Sequence, residues 1–368
     1  MRRILSQARK ELIQIFRDRL ALLLALALPL ILLFLLGTAL SLTVHDLPII
    51  VQDFDDSAAS RSLIEAFRNS LTLRVVSWPT DRPPELAFNR NLARGALIIP
   101  VHFDRDLARG ASSEIQILVD ATDANTAKLT QAYAGEIIAA YNQHNAGTAR
   151  VAPISAEVRN WYNPGLDSKK FYGPGIFVLG LSMFPPLLAA LAMSKEGEQN
   201  TILQVYVSSI SAHEFLLGKI LAFMVIALME CSITMTALFT YFGLTFAGDP
   251  TPFFVATILY AFCVAAFGTL IGAAIPNQAA AIQAVALGGF LLVFLLSGLI
   301  FPVENIPAGL RWISNIVWGR YYIEIVRDAL LKGGGWPAVW FSVLMIAFIG
   351  AFFYLITWNK MRAMQLRI

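Results

Sequence analysis

Charged residues are scarce in this sequence. Only 14% of its 368 residues are Asp, Glu, Lys or Arg, whereas 57% are hydrophobic, and the mean hydropathy is +0.62. Because soluble domains carry about 25% charged residues, this composition argues against an ordinary soluble protein. Cysteine is scarcer still: Cys231 and Cys263 both fall within apolar runs, so we predict small core residues rather than a disulfide or a metal pair.

Catalytic motifs are missing from the sequence as well. It contains no G-x-x-x-x-G-K-[ST] loop to hold phosphates, no G-x-S-x-G and no Cys–His pattern. His45, His102 and His144 are scattered without metal-ligand spacing. The chain is therefore not expected to be an ATPase or another enzyme, nor to bind a metal or cofactor of its own.

Long apolar runs are what the sequence has instead. A helix needs about 20 apolar residues to span a bilayer, and six runs approach or exceed that length: Leu20–Leu42, Gly173–Ser194, Ile220–Gly243, Pro252–Ile275, Ala279–Phe301 and Pro337–Trp358. Buried helices of a large soluble protein are usually shorter and keep a polar stripe. We therefore predict a polytopic α-helical membrane protein with six transmembrane helices.

The positions of lysine and arginine predict the orientation of these spans. Basic residues concentrate on the cytoplasmic side of membrane proteins, and here they cluster before the first span and after the last: Arg2, Arg3, Arg9, Lys10, Arg17, Arg19, Lys360, Arg362 and Arg367. With six spans both termini, including the tail 359–368, are expected in the cytoplasm. Four basic residues in the outer segment 302–336 run against the rule, but the terminal clusters outweigh them.

Residues 1–19 are predicted to form an amphipathic interface helix along the inner membrane surface. Its apolar residues fall near one face: Ile4, Leu5, Ala8, Leu12, Ile15 and Phe16. Such a helix gains from apolar burial and from attraction to anionic headgroups. Membrane anchoring alone and additional contact with a cytoplasmic partner are both open interpretations.

The segment between the first and second spans, residues 43–172, has the pattern of an extracytoplasmic α/β domain. Strand-like runs alternate with helical patterns. The predicted strands are Pro48–Asp53, Leu71–Ser77, Gly95–Pro100 and Glu114–Asp120, and the predicted helices are Ser57–Asn69, Pro84–Leu92 and Asn125–Asn145. Its acidic and basic residues nearly balance, as on an ordinary solvated surface, so we expect a structural or substrate-guiding role.

The five-helix region 173–358 contains residues that are unusual inside a membrane. Pro185 and Pro186 are expected to kink or disrupt the second span, and Glu230 lies near the middle of the third. These three residues are candidates for the translocation path. A carboxylate there costs several kcal/mol, so Glu230 should face protein or water; a neutral acid hydrogen-bonded between helices is the alternative. Gly268 and Gly272 form a G-x-x-x-G pair that predicts close helix packing.

The segment 302–336 before the last span is predicted to be re-entrant or interfacial, at the outer surface. Its aromatic residues Trp312, Trp318, Tyr321 and Tyr322 suit an interface. Arg320, Glu324, Arg327 and Asp328 have the i,i+3 and i,i+4 spacing at which side chains pair along an outer helix.

The segment 194–219 is polar and helix-forming, although it lies between two apolar runs. It suits docking onto a soluble protein and equally suits a plain solvated loop. The candidate docking residues are Arg17 and Asp18 before the first span, together with Lys195, Glu196, Glu198, Thr201, Ser211, Glu214 and Lys219.

This segment resembles the cytoplasmic coupling loop of ABC-2 type transporter permeases, the membrane subunits of one class of ABC exporters. The matching residues are Glu196, Glu198, Thr201, Leu203, Ile210, Ser211, Glu214, Gly218 and Lys219. Three further stretches resemble other segments of the family and follow in the family's order: YNPGLDSKKFYGPGIFV, LSGLIFPVENIP and GRYYIEIVRDALLKGGG. The resemblance therefore covers essentially the whole chain. Three positions depart from the pattern: Asn200 replaces a usual Gly, Gln204 a usual Leu and Ser209 a usual Pro.

The resemblance implies a transporter subunit of the bacterial inner membrane whose residues 1–19 and 194–219 grip a separate ATP-binding subunit. ATP and Mg²⁺ would bind to that partner. A second permease copy, identical or related, and membrane lipid are further implied partners; a periplasmic adaptor is compatible and nucleic acid is not expected. The alternatives are a receptor or scaffold whose outer domain binds a protein without ATP, and an intramembrane enzyme, which lacks paired catalytic residues.

Overall fold

The computed structural model describes residues 1–39, 47–70, 72–90, 92–109, 113–120, 124–145, 168–201, 210–299, 303 and 306–365. The chain divides into two compact units. We call Met1–Ser41 with Asn160–Ile368 the helical unit, and Leu42–Arg159 the α/β unit.

The α/β unit is built on a four-stranded sheet in the order β2-β1-β3-β4. Its strands are β1 (Leu47–Asp53), β2 (Leu73–Ser77), β3 (Gly95–Ile99) and β4 (Gln116–Val119). β1 pairs in parallel with β2 and β3, while β3 and β4 are antiparallel. The parallel pairs need crossover connections, which explains why the sequence alternates strands with helices. All four predicted strands are confirmed, each within a few residues of its predicted bounds.

The helices of this unit cover its sheet. They are α3 (Ala58–Arg68), α4 (Glu85–Asn89), α5 (Phe103–Ala108) and α6 (Ala124–Asn145). Ser57 starts α3 through a capping box with Ser60, and Leu63 and Phe67 carry its apolar face into the core. The six-residue helix α5 was not among the predicted helices.

The helical unit is built around long apolar helices, with shorter helices between them. Its elements are α1 (Arg2–Arg17), α2 (Arg19–Ala39), α7 (Ser168–Glu198), α8 (Ala212–Thr240), α9 (Thr251–Ala274), α10 (Gln278–Val285), a π-helical segment (Ala286–Leu291), α11 (Leu292–Leu296), α12 (Ala308–Ser314), α13 (Trp318–Arg327), a second π-helical segment (Asp328–Lys332) and α14 (Trp336–Gln365).

Five stretches among the described residues are long and apolar enough to cross a membrane. They are Lys169–Glu198, Ala212–Thr240, Thr251–Ala274, Gln278–Leu296 and Trp336–Arg362. They coincide with the predicted second to sixth spans, as expected of a polytopic membrane protein. A shorter apolar stretch, Ala25–Thr38, lies within α2, where the first span was predicted.

The prolines of the second predicted span do not interrupt it. α7 runs continuously through Pro174, Pro185 and Pro186, so the expected disruption did not occur. Helices packed around a span can satisfy the backbone groups that a proline frees. Pro185 and Pro186 are buried. A Cβ atom at Gly268 would lie 2.2 Å from the carbonyl oxygen of Pro186, which confirms the close packing predicted from the glycine pair.

The aromatic residues of α13 are mostly buried within the helical unit rather than spread over a surface. Trp318, Tyr321 and Tyr322 are at most 5% exposed, whereas Trp312 of α12 is 61% exposed. The Tyr322 ring stacks on Tyr260 of α9, with 4.0 Å between their centroids. α13 therefore packs as part of the core, against α7, α9 and α14.

The two cysteines behave as predicted. Cys231 on α8 and Cys263 on α9 are both free and buried. Cys263 is fully enclosed among the helices. Both therefore act as small core residues.

Candidate functional site

Helix α1 presents three different faces rather than one apolar and one polar face. Ala8 is buried, and Ile15 packs against a core cluster of α7, α8 and α9. By contrast, Leu5 and Phe16 are 58% and 46% exposed. The apolar residues of α1 were predicted to form one stripe. They are instead divided between a face packed against protein and an exposed face suited to lipid. The third face is polar and includes Lys10.

An ion-pair cluster ties α1 to α7 and α8. Lys219 of α8 is completely buried, and its Nζ lies 3.0 Å from Oε1 of Glu11 and 3.2 Å from Oε1 of Glu196. Lys10 approaches the same two carboxylates at 3.9 and 3.5 Å, and Gln7 donates to Glu11 at 3.0 Å. Two lysines and two glutamates therefore balance in charge, which offsets the high cost of burying any one of them alone.

Close backbone packing reinforces this cluster. A Cβ atom at Gly218 would lie 2.6 Å from Cβ of Gln7 and 3.0 Å from the carbonyl oxygen of Ile4. Only a glycine lets α1 approach α8 this closely. Arg3 adds a more exposed ion pair with Glu214, at 3.6 Å.

The ends of the segment 194–219 are helical. α7 continues to Glu198, and α8 begins at Ala212, two turns before the predicted third span. Ser211 caps α8: its Oγ accepts from the Glu214 backbone N–H, while the Glu214 carboxylate accepts from the Ser211 N–H, a reciprocal capping box. The matched residue Leu203 and the departures Gln204 and Ser209 lie outside the described residues.

Asn200 ends α7 in a left-handed conformation, with φ of +57°. Glycine adopts this conformation most readily at the end of a helix, and asparagine is the common substitute. The departure from the family pattern at this position therefore keeps the turn. Thr201 follows and donates to the carbonyl oxygen of Glu196 at 3.3 Å.

A groove of about 810 Å³ lies beside the ion-pair cluster. Its walls are the polar face of α1 and the end of α7, and they include Gln14, Arg17, Asp18, Lys195 and Gln199. These five residues are exposed. The groove thus presents polar side chains and charged side chains of both signs beside the ion-pair cluster.

The predicted docking residues separate into exposed and internal groups. Arg17, Asp18 and Lys195 line the groove, whereas Glu196 and Lys219 belong to the ion-pair cluster. Glu198 lies apart from both: its Oε2 accepts from Nε2 of Gln278 at 2.8 Å and so connects α7 to α10.

Sequence reasoning missed Gln7, Lys10 and Glu11. The available signal was the i,i+4 pair Gln7 and Glu11, which interrupts the otherwise apolar side of α1 formed by Ile4, Ala8 and Ile15. Polar residues on a packed face are expected to have partners.

Glu230 forms a second site, in the middle of α8. It is 1% exposed, so it faces protein, as predicted. Neither carboxylate oxygen has a hydrogen-bond partner among the described residues. A Cβ atom at Gly180 of α7 would lie 3.3 Å from Oε1 of Glu230 and 3.4 Å from Cβ of Pro29. Helices α2, α7 and α8 therefore meet at this carboxyl group.

The charged residues of α13 and Asp328, the first residue of the π-helical segment after it, make mostly non-local contacts. Arg320 and Glu324 form the predicted i,i+4 pair at 4.0 Å, and Glu324 also accepts from Ser342. Arg327 donates to the carbonyl oxygens of Gly298 and Leu299 just beyond α11. Asp328 accepts from the backbone N–H groups of residues 334 and 335. These contacts fasten α13 to the chain before and after it.

Comparisons with known proteins agree with this architecture. A family model described as ABC-2 family transporter protein matches residues 20–359. Over 359 residues, 95% of each chain, the sequence is 27% identical to the probable multidrug ABC transporter permease YbhR of Escherichia coli K12. It is 26% identical to the probable multidrug ABC transporter permease YbhS of the same strain, over 98% of this chain and 96% of that one. The inner membrane transport permease YhhJ is 24% identical over 86% and 85%.

The fold and these matches define the class of the protein: a polytopic ABC transporter permease. The chain belongs to the ABC-2 family of transporter proteins. Members of this class are transporter membrane subunits rather than enzymes.

Proposed function

We propose that the chain is the permease subunit of an ABC exporter and that a separate ATP-binding subunit, which holds the ATP and Mg²⁺, docks in the groove beside α1. The observation that carries this proposal is the ion-pair cluster of Lys219, Glu11 and Glu196. It joins the groove to α7 and α8, so a push on the groove acts directly on two membrane-spanning helices.

The proposed topology follows from the apolar helices and the basic residues. α2, with 21 residues, is the first span and brings the total to six. Both termini lie in the cytoplasm of a bacterial cell, as do the groove and the coupling segment 194–219. The α/β unit then lies on the outer side of the membrane, where it guides substrate or contacts a periplasmic adaptor. The segment 302–336 lies at the outer end of the spans, with α13 packed among them.

The proposed docking site contains two sets of residues with different roles. Exposed Arg17, Asp18 and Lys195 contact the ATP-binding subunit. Buried Lys219 and partly buried Glu196 hold α1, α7 and α8 together, while Ser211, Glu214 and Thr201 fix the helix ends. Glu198 extends the connection to α10 through Gln278.

Closure of two ATP-binding subunits around nucleotide then moves two permease copies between inward-facing and outward-facing packings. Packed helices support discrete arrangements rather than continuous bending. The second copy is identical or related. The substrate path runs along α7 and α8, past Pro185, Pro186 and Glu230, and α13 with Arg320, Glu324 and Arg327 closes its outer end.

Charge reversal in the groove tests the proposal. Arg17→Glu combined with Lys195→Glu is expected to abolish co-purification of the ATP-binding subunit and ATP-dependent efflux, while membrane insertion stays normal. Arg74→Glu, an exposed change on β2 of the α/β unit, is the matched control and should have no effect. Full efflux by the double variant would overturn the docking site, and full activity with a nucleotide-dead partner would instead indicate a receptor or scaffold.

A further inference from the structure

A cavity of about 400 Å³ lies between the start of α7, the end of α11, α13 and the start of α14. Apolar side chains form part of its wall, among them Phe171 and Val339. The wall also contains four charged residues: Glu324, Arg327, Asp328 and Lys332. Two of these are acidic and two are basic, so the described wall has no net charge. A cavity of this size has room for a small polar group.

Ser297 lines this cavity, and its hydroxyl group has no partner among the described residues. The residue is 1% exposed, and its Oγ makes no hydrogen bond there. Hydroxyl groups elsewhere on the long helices donate to the carbonyl oxygen one turn earlier, as those of Ser182, Ser232 and Thr357 do. A buried hydroxyl group without a partner costs free energy that an alanine would not. Packing alone therefore does not account for Ser297.

The basic residues of the cavity have further unused donors. Nη1 and Nη2 of Arg327 donate to the carbonyl oxygens of Gly298 and Leu299, which fixes the guanidinium group. Its Nε has no partner in the part of the chain that the structure describes. Lys332 is exposed and makes no ion pair or hydrogen bond to a described residue. With the serine hydroxyl, the cavity therefore offers three donors to an anion such as a phosphate group.

The two acidic residues of the cavity differ in how far their charge is compensated. Asp328 is 6% exposed, and its two oxygens accept from the backbone N–H groups of Gly334 and Gly335. The Glu324 side chain is 51% exposed, and one of its oxygens accepts from Ser342. Its other oxygen has only a 4.0 Å contact with an arginine of its own helix. Glu324 therefore has acceptor capacity left for an ammonium group.

An exposed apolar stripe continues from the cavity along α14. Ala338 lines the cavity. Phe341, Leu344 and Phe348 follow at spacings of three, three and four residues, so they share one helix face. These three side chains are 54%, 57% and 67% exposed. A polar cavity that leads into an apolar stripe fits a phospholipid better than it fits a free phosphate ion.

We propose, on the basis of the topology proposed above, that the cavity binds the headgroup of a zwitterionic phospholipid of the outer leaflet. The phosphate group accepts hydrogen bonds from Ser297, Arg327 and Lys332. The ammonium group lies against Glu324, and an acyl chain lies along the apolar stripe of α14. A lipid bound in this way connects the end of α11 to α13 and α14.

Native mass spectrometry of the purified full chain tests the proposal, with phosphatidylethanolamine, phosphatidylglycerol and water-soluble phosphoethanolamine as separate ligands. The wild type is expected to bind phosphatidylethanolamine most tightly. Ser297→Ala combined with Lys332→Gln should weaken that binding about tenfold or more, because hydrogen bonds to a charged group are removed. Ser232→Ala combined with Lys360→Gln changes the same residue types outside the cavity. This control should bind as the wild type does.

Glu324→Gln distinguishes headgroup recognition from a general structural effect. It is expected to remove the preference for phosphatidylethanolamine over phosphatidylglycerol, because the ammonium group loses its counter-charge. An unchanged preference, equal binding by the double variant and its control, or equally tight binding of phosphoethanolamine would overturn the inference. The measurement needs neither nucleotide nor the ATP-binding subunit. If that subunit co-purifies and drives efflux while the chain shows no lipid preference, the proposed function stands and this inference fails.

Discussion

Glu11 and Glu230 are both buried glutamates of the helical unit, 2% and 1% exposed, yet their surroundings differ completely. Glu11 contacts two lysines and a glutamine, whereas Glu230 has no hydrogen-bond partner among the described residues. A paired buried charge fixes the helices that carry it. An unpaired buried acid adds no such bond between its helices, and within a membrane span it is a candidate functional residue. The helical unit thus has an ion-paired contact of α1 with α7 and α8, and, where α2, α7 and α8 meet, an acid with no partner among the described residues.

The largest effect is expected from breaking the paired site. Lys219→Met would leave Glu11 and Glu196 buried with only the half-exposed Lys10 as counter-charge. Removing one partner of a buried ion pair destabilises by about 3–5 kcal/mol. We expect a large loss of thermal stability in detergent, measured by tryptophan fluorescence, and loss of the ATP-binding subunit on purification.

Lys195→Met is the matched control for this change. Lys195 is also a lysine near the end of α7, but it is exposed and no ion pair is found for it in the described part of the chain. Its thermal stability should equal that of the wild type. Equal stability of Lys219→Met and Lys195→Met would show that the cluster does not hold α1 in place.

A smaller loss of stability is expected from separating α7, which both sites share, from α9. Gly268→Ala places a methyl group against the Pro186 carbonyl oxygen, so α7 and α9 must move apart. Overpacking of this kind costs about 1–3 kcal/mol. Gly309→Ala on α12 is the control, because nothing lies within 4 Å of its added Cβ atom. Comparable melting temperatures for the two variants would contradict the packing.

A substitution of Asn200, in the turn after α7, is expected to lower both stability and ATP hydrolysis. Asn200→Val puts a β-branched residue into the left-handed conformation, at a cost of about 1–2 kcal/mol. Asn200→Gly should match the wild type in stability. ATP hydrolysis by the assembled complex should fall for the valine variant only, because the turn at Asn200 lies within the proposed coupling segment 194–219. Equal hydrolysis by both variants would show that this turn does not matter for coupling.

The smallest loss of stability is expected at the unpaired site. Glu230→Gln removes no ion pair and no hydrogen bond found in the described residues, so its melting temperature should lie within a few degrees of the wild type or above it. Thermal unfolding beside Lys219→Met makes the comparison direct. A loss as large as that of Lys219→Met would show that Glu230 is a paired structural residue.

Sequence reasoning recovered five of the six predicted spans among the described residues, because runs of about 20 apolar residues leave few other folds. It recovered the sheet because strand periodicity is local. It did not predict that Lys219 is buried, since burial depends on Glu11, which is far away along the chain. Nor did it predict that α13 packs in the core, because buried and interfacial aromatic residues look alike in sequence. The local pattern of residues does not show which residues, far apart along the chain, come into contact.

The central claim is that the groove beside α1 receives the ATP-binding subunit. A photo-crosslinking amino acid at Gln14 or at Gln199, in opposite walls of the groove, tests it most directly in the assembled complex, with Leu5 on the exposed apolar face as the comparison position. Gln14 and Gln199 are expected to give a covalent product with the ATP-binding subunit, and Leu5 is expected to give none. The claim would be contradicted if an active complex gave no such product from either groove position.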